Sequence, residues 1–81
     1  MQLQVLLFGA ERKAAGRDRA VVSLTGSRTC LDLRERLAAE VPALAPHLAS
    51  ARFAVNGAFV PLSHTLDERD EVALIGPVSG G

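Results

Sequence analysis

The sequence closes on Gly80-Gly81, and the chemistry open to that pair is the chemistry of its carboxylate. Neither residue has a Cβ, so both fit a channel as narrow as the backbone and reach φ values closed to other residues. An acyl group on glycine is achiral, so an activated one cannot racemise while it waits. Pro77 lacks an N–H and fixes φ, which predicts that a strand through Val72, Leu74 and Ile75 stops there. The four residues beyond it, Val78, Ser79, Gly80 and Gly81, span about 13 Å when extended. The pattern predicts a reusable acyl carrier, with Gly81 reacting and Pro77, Val78, Ser79 and Gly80 threading into a partner's active site. Two glycines suit an idle frayed end equally well, so the decision falls to the rest of the chain.

Other side chains that could do chemistry are few. Cys30 sits at a predicted helix start, where a thiol pKa can fall, but no Cys/His/Asn constellation accompanies it and it falls on an apolar stripe. It reads as a structural cysteine. His47 and His64 stand at no metal-ligand spacing from other candidate ligands, so no metal site is expected. Asp67-Glu68-Arg69-Asp70 reads as a solvated turn, because acid/base work requires carboxylates converging on a pocket.

Size and charge narrow the classes further. Eighty-one residues make one small domain, which buries roughly 60% of the surface of its unfolded chain. Nine basic residues balance nine acidic ones and the pI is about 6.7. Non-specific attraction to nucleic acid or to an anionic membrane therefore has no electrostatic basis. No apolar run approaches the roughly 20 residues of a bilayer span. The polar-interleaved start, Met1-Gln2-Leu3-Gln4, lacks a signal-peptide pattern, and a lone cysteine fits a reducing compartment; the expected address is the cytoplasm.

The elements that would position the tail follow from periodicity. Leu3, Val5 and Leu7 alternate with Gln4, Leu6 and Phe8 in a first strand. The segment from Gly9 to Arg19 reads as an exposed loop or short helix. Ala20, Val22 and Leu24 mark a second strand, expected to form a hairpin with the first. Thr29 with Asp32 resembles a capping box, and Cys30, Leu33, Leu37 and Val41 form the buried stripe of an amphipathic helix that Pro42 ends. Leu44 and Leu48 imply a helical turn. Asn56-Gly57 between Phe53-Ala54-Val55 and Ala58-Phe59-Val60 is the strongest hairpin signal. Glu71 to Ile75 is the closing strand.

This order predicts an α+β fold of the ubiquitin-like β-grasp type, a mixed sheet with one main helix across one face. Residues 1–76 form the domain and 77–81 a flexible tail. With Leu3, Val5, Leu7, Val72 and Leu74 against the helix, Leu6, Phe8, Ala73 and Ile75 gather on the uncovered face. They either form an apolar docking patch at the root of the tail or fill a local pocket under residues 9–19.

Val5-Leu6-Leu7-Phe8, Asp70-Glu71-Val72 with its apolar sequel, and Pro77-Val78-Ser79-Gly80-Gly81 together resemble the small, sulfur-carrying subunits of molybdopterin synthase. The resemblance runs over nearly the whole length. It implies that an adenylating enzyme uses ATP to form an acyl-adenylate on Gly81, and that sulfur then replaces AMP to give a thiocarboxylate. It further implies a large synthase subunit that supplies the catalytic residues and receives sulfur for a pterin precursor, with no cofactor bound permanently to the carrier. Phe8 and Ile75 stand where family members present apolar interface residues. Gly76 replaces a proline often found before Pro77, which predicts a looser tail root, and Arg69 replaces a turn glycine, which predicts strain. Carriers of this fold also resemble those feeding thiamine, cysteine or tRNA thiolation, and protein modifiers. The single lysine, Lys13, supplies chain-building poorly.

Overall fold

The computed structural model describes residues 1–77, and Val78, Ser79, Gly80 and Gly81 lie outside the described residues. Strand β1 (Gln2–Leu7) leads into a short helix α1 (Gly9–Ala15) and strand β2 (Arg19–Ser23). Helix α2 (Cys30–Glu40), a 3₁₀ turn (Pro42–Leu44) and helix α3 (Ala45–Leu48) follow, then β3 (Arg52–Val55), β4 (Ala58–Val60) and β5 (Val72–Ile75).

The five strands form one mixed sheet in the order β2-β1-β5-β3-β4. β1 pairs antiparallel with β2 and parallel with β5, so the final strand lies beside the first. Strand alternation sends Leu3, Val5, Leu7, Phe53, Val72 and Leu74 to one face, where each is no more than 2% exposed. That face meets Leu33 and Leu37 of α2 and Leu44 and Leu48 beyond it in a single core. This is the α+β β-grasp arrangement that the periodicity predicts.

Local chemistry fixes the ends of the elements. Thr29 caps α2: its Oγ1 accepts from the Asp32 N–H at 3.3 Å, while its own N–H donates to Asp32 Oδ2 at 3.0 Å. That is the reciprocal capping box. Asn56 (φ 53°) and Gly57 (φ 85°) both take positive φ, the conformation a two-residue hairpin with the right-handed strand twist requires. Asn56 also accepts from the Glu71 N–H at 2.9 Å and donates to Asp70 Oδ1 at 3.0 Å, tying the hairpin to the start of β5.

Two expectations need correction. The link between β1 and β2 is the helix α1, and it is not uniformly exposed: Glu11, on its first turn, is 4% exposed. A period signal was hard to see there because seven residues bury only that one side chain. Arg69 is free of the expected strain, since Asn56 is the positive-φ non-glycine residue and the Arg69 N–H donates to Asp67 Oδ1 at 3.0 Å. Gly76 lies against Glu11: a Cβ there would stand 2.6 Å from Glu11 Oε2, so that carboxylate would have to shift to admit one.

Candidate functional site

The sheet face opposite α2 carries a row of small and apolar side chains. Leu6 pairs with Ala73, Ala73 with Ala54, and Ala54 with Phe59, so one residue from each of β1, β5, β3 and β4 lines up across the sheet. Cross-strand partners point to the same side, and Phe53 and Val55 flank Ala54 in the core, so this row faces away from the helix. Phe59 is half exposed, and the Arg52 guanidinium lies 4.2 Å from its ring centroid. The Asn56-Gly57 turn sets Ala54 opposite Phe59, a signal in the hairpin register, whereas alternation along β1 and β5 alone gives Leu6, Phe8, Ala73 and Ile75.

Phe8 keeps an extended backbone (φ −136°, ψ 161°) past the end of β1, which carries the strand alternation one residue further. Its ring is 49% exposed. Together with Ile75, Gly76 and Pro77 and the first turn of α1, it lines a groove of about 340 Å³. Leu6, Ala73 and Ile75 are half-buried. The structure thus gathers Phe8 and Ile75 at the point where the chain leaves β5, with Leu6 and Ala73 paired on the adjoining strands. Phe8 and Ile75 line the groove beside α1, while Leu6 and Ala73 pair on the sheet face outside it. Pro77 forms one wall of the groove; Val78, Ser79, Gly80 and Gly81 lie outside the described residues.

The remaining candidates fall into structural roles. Cys30 is fully buried on α2, where burial first and the negative charge of Asp70 second push its thiol above the ordinary value. A thiol held protonated is a poor nucleophile. His64 offers its backbone carbonyl to the Cys30 N–H at 3.0 Å. The acidic run closes as a turn, with the Asp67 N–H donating to Asp70 Oδ2 at 2.8 Å. Among the described residues no group of three His, Cys, Asp or Glu side chains could hold a metal ion. Nor is any described helix long and apolar enough to cross a membrane.

Sequence reasoning missed one pairing at the site. Nδ1 of His47, on α3, lies 3.3 Å from Oε2 of the buried Glu11, a charge pair when the imidazole is protonated. Only the packing of α1 against α3 brings these residues, thirty-six positions apart, together.

The model of the ThiS family matches residues 5–81. The chain belongs to the ThiS family. Within reach of this family by sequence stand two curated relatives, both 35% identical to the chain. One is the molybdopterin synthase sulfur carrier subunit of Mycobacterium tuberculosis (strain ATCC 25618 / H37Rv), with 100% of this chain and 99% of the relative covered. The other is the subunit of the same name from Chlamydomonas reinhardtii, with both chains covered completely. Among solved structures, SAMP1 from Haloferax volcanii, a small archaeal modifier protein, superposes with a TM-score of 0.88 at 27% identity over the whole of both chains. A Helicobacter pylori complex of subunits 1 and 2 of molybdopterin-converting factor matches with a TM-score of 0.71 at 23% identity, covering both chains fully, and shows the shared β-grasp fold.

Proposed function

We propose that this ThiS-family chain is the sulfur carrier subunit of a molybdopterin synthase. The observation that carries the reading is the 35% identity, from end to end, to two relatives of that name. The Gly80-Gly81 end and the apolar face beside the root of the tail support it from the side of chemistry.

In this reading a carboxylate oxygen of Gly81 attacks the α-phosphorus of ATP held by an adenylating enzyme, and pyrophosphate leaves. A sulfide nucleophile, HS⁻, then attacks the acyl carbon, AMP departs and the thioacid loses its proton, which leaves a thiocarboxylate. The mixed anhydride is needed because a free carboxylate has no adequate leaving group. The thioacid is ionised at neutral pH and is itself the nucleophile toward the pterin precursor. Phe8, Ile75, Leu6 and Ala73 dock on the large subunit, while Pro77, Val78, Ser79 and Gly80 thread its channel. The carrier holds no cofactor of its own, and the catalytic side chains belong to the partner.

Coexpression with the adenylating enzyme, followed by intact-mass measurement, tests this. The expected result is the mass increase of one oxygen-to-sulfur exchange, absent from a chain lacking Gly80 and Gly81. An unchanged mass in the intact chain overturns the proposal. The similarity to SAMP1 favours a second reading, in which Gly81 forms an isopeptide with a target lysine. Adducts that survive denaturant would mark that outcome.

A further inference from the structure

Glu11 is the buried charged residue among those described, with its side chain 5% exposed. Burying a carboxylate is unfavourable unless partners compensate, so its position calls for a reason. Two neighbours define it. His47 Nδ1 stands 3.3 Å from Oε2, and on another side the carboxylate fills the space that a side chain at position 76 would need. A Cβ built on Gly76 would come within 2.6 Å of Oε2 and 2.7 Å of Cδ.

Gly76 differs in this from Gly9, Gly16, Gly26 and Gly57. Those four have positive φ and open space around them, so the backbone demands glycine. Gly76 has neither: the Glu11 carboxylate occupies the place of a side chain there and would have to shift to admit one. Glu11 therefore ties α1, α3 and the residue after β5 at one point. Pro77 comes next, and its fixed φ leaves the backbone little slack at the step where the chain departs from β5.

We propose that Glu11 is a positioning residue for the acyl tail: its carboxylate, seated between His47 and Gly76, sets the direction in which the chain leaves β5. The inference rests on the carrier reading above. Glu11 touches no reacting atom; it acts through Gly76 and Pro77.

The test compares wild type, Glu11→Ala, Glu11→Gln, Gly76→Ala and the double variant Glu11→Ala/Gly76→Ala. Sulfur loading by the adenylating enzyme is followed by intact mass at several carrier concentrations, below each variant's melting midpoint. Glu11→Ala is expected to lower kcat roughly ten- to a hundredfold, the scale of a misplacement of about 1 Å. KM should stay within about twofold, because Leu6, Phe8, Ala73 and Ile75, the apolar docking residues, are unchanged. Glu11→Gln preserves the shape and should restore most of kcat. Gly76→Ala should be impaired beside Glu11 and improved in the double variant, where its methyl group enters the vacated space.

An unchanged kcat in Glu11→Ala overturns the inference. So does Glu11→Gln behaving like Glu11→Ala, or Gly76→Ala being equally impaired with either residue at position 11. If wild type gains no sulfur, the carrier reading falls by itself. The positioning claim is then decided by the Gly76 amide resonance, which must shift in Glu11→Ala and stay near its wild-type place in Glu11→Gln; equal shifts in the two overturn it.

Discussion

The two faces of the central sheet are made from alternate residues of the same strands, yet they have opposite fates. On one, Leu3, Val5, Leu7, Phe53, Val72 and Leu74 are sealed by α2. On the other, Leu6, Ala73, Ala54 and Phe59 form a second apolar row with no described helix across it. Apolar character alone does not separate a core from an interface. What separates them is which face receives the single long helix. The covered face should carry the stability of the domain, and the open face should carry its association, so substitutions of similar size ought to divide cleanly between the two.

The largest effect is expected inside. Leu33→Ala empties a fully buried position in the first turn of α2 and should cost about 2–5 kcal/mol of unfolding free energy, read from urea denaturation. Survival of this variant at wild-type stability would mean that α2 does not seal the sheet.

A smaller loss is expected at the edge of the covering helix. Thr29→Ala removes the cap of α2 and should cost about 1 kcal/mol. The same cap carries a pH signature. Hydrogen bonds from the Ser27 side chain first, and then from Thr29, hold the Asp32 carboxylate below its ordinary value of 3.8. A group depressed in the folded state contributes stability that is fully present above its unfolded pKa and is lost as pH falls through the folded one. Thr29→Ala and Asp32→Asn should therefore flatten the acid limb of the stability curve below about pH 4, with the difference from wild type shrinking toward lower pH. A constant difference across that range would contradict the assignment.

The smallest change in stability is expected on the open face. Phe8→Ala should alter unfolding free energy by no more than about 0.5 kcal/mol, because the ring is already half in water. It should nevertheless weaken binding to the large subunit by about 2 kcal/mol or more, as a central aromatic anchor does, measured by calorimetry. A variant that unfolds early and still binds would reverse the roles of the two faces.

Much of this division was legible in the sequence because it rests on periods of two and of about four. Alternation along Leu3 to Phe8 and along Val72 to Ile75 assigned each side chain to a face, and Cys30, Leu33 and Leu37 showed which stripe of α2 turns inward. The Asn56-Gly57 pair announced its turn through backbone sterics alone. Legibility stopped where a role depends on a residue distant in the chain. Phe59 joins the open face through the β3–β4 register, and Glu11 sits in a segment whose charges read as solvated.

By itself, the sequence determined the elements, their inward faces and the glycine-terminated end that carries the proposed chemistry, since these follow from local periodicity, capping and backbone freedom. Only the tertiary structure decided that α1 buries a carboxylate, that His47 reaches it from α3, and that Gly76 lies against it. These are matters of three-dimensional volume and charge. No local pattern encodes a space that three separated segments create only when they pack.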